Sequence, residues 1–299
     1  MTSGRGYRRF REGGIQLLLM LCASISVLTT LGIVVVLVSE SVPFFQHVSP
    51  LAFLTGTRWT PLLEPRSFGV LPLVWGTTVV AGGALLIAVP AGLATAIFTS
   101  EYAPLWVRQV LKPVLEVLAG IPSVVYGFFA LHFITPHLLR PLVPQTEVFN
   151  AASAAIVLGI MILPTICSLC DDALRAVPRS LREAAYGMAA TRLEVSTRIV
   201  LPAALSGVVA AVLLALARAV GETMAVTLAA GHTPKLALNP FTSIETMTAY
   251  MVRVCLGDAP AGTVEYQSIF AVALLLFALT FAINWIAQRT MFRFREVYE

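Results

Sequence analysis

Arg218 and Glu222 are the only charged residues in the apolar stretch 199–230. On a helix, residues four apart lie one above the other on the same face. Arg218 falls 16 residues after Pro202, about 24 Å along a helix axis at 1.5 Å per residue. Holding an arginine at that depth in a bilayer costs about 3 kcal/mol on insertion scales, so it must face a partner or a water-filled path. Two readings fit the spacing. In one, the pair neutralises itself and locks two helices together. In the other, the guanidinium fork, which matches phosphate oxygens two at a time, gates the passage of an anion. Glu222 would then hold Arg218 in place, or accept a hydrogen bond from a protonated phosphate oxygen. A fully ionised sulfate has no proton to give there and would be repelled, which discriminates against it.

The elements that must position this pair follow from composition. Hydrophobic residues make up 58% of the 299, charged residues 12%, and the mean hydropathy is +0.84. A soluble domain is about 25% charged, so this chain lacks the ions to cover a water-facing surface. Intrinsic disorder, nucleic-acid binding and a secreted disulfide scaffold are excluded, which leaves an integral membrane protein. Stretches 13–39, 67–100, 117–139, 148–170 and 266–288 carry no ion, and 199–230 makes a sixth. Each suffices for one crossing of a ~30 Å core, which takes about 20 helical residues. The stretch 67–100 is too short to cross twice. The first stretch follows Arg8, Arg9 and Arg11 but exceeds the apolar run of a signal peptide and lacks a small-residue cleavage site. It is expected to stay as an anchor.

Basic residues orient the chain. Fourteen lie in the N-terminal tail, the 101–116 loop, the 171–198 loop and the C-terminal tail, against five (Arg58, Arg66, Arg140, Lys235, Arg253) in the alternate loops. The positive-inside rule then places both termini in the cytoplasm.

Soluble catalysis has no visible site. The histidines (His47, His132, His137, His232) lack metal-ligand spacing, and no GxSxG or HExxH occurs. Cys167 and Cys170 have zinc-like spacing, but no second pair completes a site. No lysine precedes Ser or Thr, so no P-loop is present. Any ATP must be hydrolysed by a partner.

The loop 171–200 is too polar to enter the bilayer. Ser180 and Glu183 have capping-box spacing. Leu181, Ala184, Ala185 and Met188 then form an apolar stripe, with Arg182 and Tyr186 elsewhere on the surface. By periodicity alone such a helix seeks a groove in another protein or lies on the membrane surface.

This loop resembles the EAA motif of ABC-importer permeases, E-A-A-x3-G-x9-I-x-L-P. Glu183-Ala184-Ala185, Ile199 and Leu201-Pro202 match, while Ala189 stands in the place of the glycine. If that position needs a positive φ, alanine is strained there. Beyond the loop, the chain is similar to PstC-type phosphate permeases. The similarity lies in Phe68–Thr77, Ser100–Pro104, Ala119–Gly127, Ile162–Pro164, Leu174–Pro178 and Arg218–Val226. The resemblance implies an all-α membrane fold of six transmembrane helices, the type I ABC importer permease fold. It implies that Glu183, Ala184, Ala185, Ala189, Ile199, Leu201 and Pro202 couple to an ATPase, and that Arg218 and Glu222 line the substrate path. The implied partners are a PstA-like sister permease, a PstB-like ATPase pair holding ATP and Mg, and a PstS-like periplasmic phosphate-binding protein, all at the bacterial inner membrane. The expected organisation is 1–69 (tail, first helix and outer loop), 70–290 (permease domain, with coupling loop 171–200) and 291–299 (C-terminal tail).

The outward loop 232–266 contains Thr242 and Glu245 at capping-box spacing, Gly257 as a helix stop and a stripe of Met247, Met251 and Val254. That stripe could meet a binding protein or pack on the chain's own rim.

Overall fold

The computed structural model describes residues 3–61, 64–260 and 262–293, so 294–299 of the expected C-terminal tail lie outside the described residues. The chain begins with α1 (Ser3–His47) and α2 (Pro50–Thr55). Two-residue strands follow, β1 (Trp59–Thr60) and β2 (Ser67–Phe68), paired antiparallel with Trp59 opposite Phe68. Next is α3 (Leu71–Ile97), extended by a π turn to Tyr102. Then come α4 (Leu105–Gly120) and α5 (Ser123–Phe129), the latter continuing through a π segment and a last turn to Leu142. Helix α6 spans Ala151–Arg175 and α7 Arg179–Gly187. Helix α8 (Arg192–Glu194) runs on through wider turns to Ala203. The order closes with α9 (Leu205–Val220), α10 (Met224–Ala229), α11 (Met247–Arg253) and α12 (Val264–Arg293).

Among the described residues four helices are long and apolar enough to cross a bilayer, and two bent pairs bring the crossings to six if each pair counts once. Two boundaries differ from the sequence expectation. The residues 101–116, read as a loop, belong largely to helix α4, which meets α5 at 88°. Ile121 and Pro122 are both extended at that corner, because a residue before proline is pushed out of the α region. The third crossing therefore starts at Ser123, not at 117. The fifth bends by 71° where Ala204 leaves helical geometry. Depth along it is then counted from Leu205, which puts Arg218 about 20 Å in.

The core is the α3–α6 pair, where small residues let backbones approach in a solvent that gives helices no hydrophobic drive to associate. Ala84 and Ala88 of α3 are buried with Val157, Leu158, Ile162 and Ile166 of α6. At the other end from the EAA loop, Phe44, Phe53, Trp59, Phe68 and Tyr250 meet edge to face, with Trp59 and Tyr250 centroids 4.9 Å apart. That geometry suits aromatic quadrupoles and anchors the two-stranded hairpin against α11.

Candidate functional site

The fifth crossing breaks between its two charges. Helix α9 ends at Val220, and Gly221, Glu222 and Thr223 separate it from α10. The break cancels the stacking that four-residue spacing implies, and no ion pair joins Arg218 to Glu222 among the described residues. Arg218 is exposed and donates from Nη1 to the Thr165 hydroxyl of α6 at 3.1 Å. Glu222 instead accepts the Ala225 amide at 3.3 Å, satisfying one of the orphan donors at the start of α10. Thr165 also lines a cavity of about 710 Å³ between α4 and α6. Its wall carries Arg108, Lys112 and Arg175 against Glu116, Asp171 and Asp172. The cavity thus reaches the hydroxyl that holds the guanidinium.

Helix α7 is the EAA helix, and its start differs from expectation. Pro178 occupies the N-cap and no side chain caps there, so Ser180 is already inside the helix and makes no box with Glu183. The capping box that forms is Thr191 with Glu194: the Thr191 amide donates to Glu194 Oε2 at 2.9 Å and the Glu194 amide to Thr191 Oγ1 at 3.3 Å. These bonds hold the Glu194 carboxyl below the usual carboxylate range. Between the two helices the chain reverses in a Schellman turn. Ala190 N–H reaches Ala185 O, Ala189 N–H reaches Tyr186 O, and Ala189 adopts φ 62°. The glycine position of the motif does require a left-handed residue, and alanine fills it.

The apolar stripe expected on α7 is split. Leu181 and Ala185 pack inward, while Ala184 and Met188 face out beside Glu183 and Tyr186, Met188 being 86% exposed. Arg182, expected on the surface, is the helix's main anchor. It donates to Leu174 O (2.7 Å), Val177 O (2.6 Å) and Glu101 Oε1 (3.0 Å). The carboxylate comes from the π turn that ends α3. Only the position of Glu101 in the segment Ser100–Pro104 hinted at this, since no spacing rule links residues 81 apart. In the rest of the motif, Ile199 and Leu201 are half-buried and Pro202 is exposed.

The outer loop is also corrected. Thr242 and Glu245 do not form a box, because α11 starts later, with Thr246 as N-cap accepting the Ala249 amide. Gly257 does end the helical run, at φ 118°. The Met247, Met251 and Val254 stripe packs in the aromatic cluster, so it is covered by the chain's own rim. Glu245 is fully buried and accepts two bonds from Arg253, at 2.8 and 3.1 Å. Among the described residues no cluster of His, Cys, Asp and Glu could hold a metal.

The chain is a multi-pass bundle with an exposed short helix between two crossings and a broken crossing beside it. Residues 88–296 match the family described as "Binding-protein-dependent transport system inner membrane component", and the chain belongs to that family. It is a permease of the ABC importer class and not an enzyme. A Bacillus subtilis relative, "Probable ABC transporter permease protein YqgH", is 36% identical, with 94% of this chain and 91% of that one covered. "Phosphate transport system permease protein PstC" of Mesorhizobium japonicum is also 36% identical, covering 81% and 78%. Its Haemophilus influenzae counterpart is 35% identical, covering 77% of each. A chain of the MetNI methionine ABC transporter has the same fold, with TM-score 0.57 at 19% identity over 76% of this chain and 94% of that one. Family membership brings with it an ATPase and a binding protein as partners.

Proposed function

We propose that this chain is one of two permease subunits of an ATP-driven inorganic phosphate importer. A PstA-like sister permease completes the path, a PstB-like ATPase pair holding ATP and Mg docks on α7, and a PstS-like phosphate-binding protein delivers from the opposite side. The phosphate transport names of several relatives support the substrate. The excess of basic residues on the EAA side supports cytoplasmic termini in a bacterial inner membrane.

The observation that carries the reading is Arg218. It lies about 20 Å into the fifth crossing, is exposed, and among the described residues is held by one neutral hydroxyl. A guanidinium has five N–H donors, so most of its fork is open. Exposure to lipid alone would cost about 3 kcal/mol, and a water-filled path shared with the sister subunit removes that cost. Glu222 has one oxygen on the Ala225 amide. The other is open to a phosphate proton and repels an anion without one.

The test is phosphate uptake by the whole complex in vesicles. Arg218→Ala and Arg218→Lys abolish uptake while the subunits still co-purify, because lysine offers a point charge and not a two-pronged fork. Uptake unchanged in either variant would refute the gate. Excess sulfate leaves wild-type uptake unaffected, and strong competition by sulfate would move the assignment to another oxyanion.

A further inference from the structure

The broken crossing leaves the Glu222 carbonyl without the helical amide that would otherwise take it. It accepts from Thr248 Oγ1 at 2.8 Å, from a helix in the outer loop 26 residues away. A hydroxyl has one proton to donate, so the order of the neighbouring bonds is fixed. Thr248 gives its proton to Glu222 O, and the 3.2 Å contact between the Thr246 and Thr248 hydroxyls must then be donated by Thr246. Thr246 Oγ1 in turn accepts the Ala249 amide at 3.2 Å. The series runs in one direction from the N-cap of α11 to the break. Bonds in such a series polarise one another in a low-dielectric interior.

The segment that carries the series is held firmly. Every residue from Ile244 to Tyr250 is buried. The Met247 amide donates to Thr77 Oγ1 of α3 at 3.1 Å, and the Ile244 amide to Ala230 O just past α10 at 3.0 Å. A Cβ on Gly76 would clash with the Glu245 carbonyl oxygen, so α3 keeps a glycine where this loop crosses it. Non-helical backbone at membrane depth survives only when buried in protein and bonded in this way. Its outer end, Arg253, is partly exposed.

We infer that Thr248 is a positioning residue: it sets the Glu222 backbone, and hence the carboxylate, from the outer loop. Helix α11 therefore links the loop 232–266 to the break in the path. This rests on reading Glu222 as part of the substrate path, but the position of the break can be measured without substrate.

The experiment uses the assembled transporter with the exposed Cys22 and Cys255 replaced by serine and Val220→Cys, buried beside the break, as a reporter for maleimide. Thr248→Val removes the donor at nearly constant shape, and Thr248→Ser keeps it. Maleimide labelling at 220 is expected to rise about five- to tenfold in Thr248→Val, the worth of one hydrogen bond, and to stay at the parent rate in Thr248→Ser. Without the reporter cysteine, Thr248→Val is expected to raise the KM for phosphate with kcat largely kept, and Thr248→Ser to restore it. Equal labelling in all three chains, or a serine variant as altered as the valine one, overturns the inference. Should Thr248→Val not assemble, Thr246→Ala breaks the series one step earlier. It is expected to raise labelling about twofold, and a parent rate there overturns the inference equally. If labelling responds as stated but the parent complex moves no phosphate, the functional reading fails and the positioning role stands.

Discussion

Arg182 and Arg218 place the same head group in opposite settings. Arg182 belongs to the EAA helix and has 16% of its side chain exposed, bonded to two carbonyls and a carboxylate. Arg218 lies at a break in a crossing, exposed, with one hydroxyl as partner. The first arrangement joins α7 to the ends of α3 and α6, so a push on α7 moves a rigid unit. The second leaves donors unspent, which the proposed function assigns to a passing anion. Burial and satisfaction of a charge point to mechanical work in this molecule, and incomplete satisfaction points to chemistry.

The strongest way to break this contrast is to remove each guanidinium and measure stability. Arg182→Ala strands the Glu101 carboxylate, only 8% exposed. Loss of one partner of a buried pair costs about 3–5 kcal/mol. Thermal unfolding of the purified complex should report that loss, and adding Glu101→Gln should recover part of it by neutralising the stranded charge. Arg218→Ala should stay within about 0.5 kcal/mol of the parent, as substitutions outside packed networks do. Similar losses at both sites would erase the distinction.

The next largest effect is on the outward face of α7. Glu183 is exposed and makes no ion pair among the described residues, so Glu183→Lys should leave the subunit's own stability unchanged. It should weaken co-purification of the ATPase by about 2 kcal/mol, the scale of an interface hot spot, and uncouple transport. Full association with normal uptake would show that α7 docks by another face.

Charge spacing and apolar length marked the stretches that form four crossings, or six if each bent pair counts once, because both are local properties of the sequence, and the resemblance to the EAA motif marked α7. Corners at Ile121-Pro122 and Ala204 shifted two boundaries; the first follows from the limit proline sets on the residue before it, and apolar length registers neither. Periodicity also placed Arg182 on the surface. Its true partners are Glu101, 81 residues away, and two carbonyls at the end of α6, and no local pattern encodes such a meeting. The same limit hid Thr248, whose acceptor is a carbonyl left without a helical amide because the crossing breaks. The Arg218–Glu222 spacing was legible, but its geometric meaning changed once Gly221 ended the helix between them.

Ala189 was legible as a misfit, and it allows the finest test of the rigid end of the comparison. Its φ of 62° closes the Schellman turn between α7 and α8. A left-handed conformation costs an L-residue roughly 1–2 kcal/mol, and glycine escapes that cost. Ala189→Gly should therefore relieve strain, yet glycine also loses more chain entropy on folding, by about 0.5–1 kcal/mol relative to alanine. The two terms oppose, and the strain is the larger. The variant complex should gain about 0.5–1 kcal/mol in thermal unfolding, with ATPase docking and phosphate uptake at parent levels. A loss of stability would mean that α7 and α8 depend on a stiff alanine turn to move as one body, and that the stiffness of this end outweighs the strain that alanine stores in it.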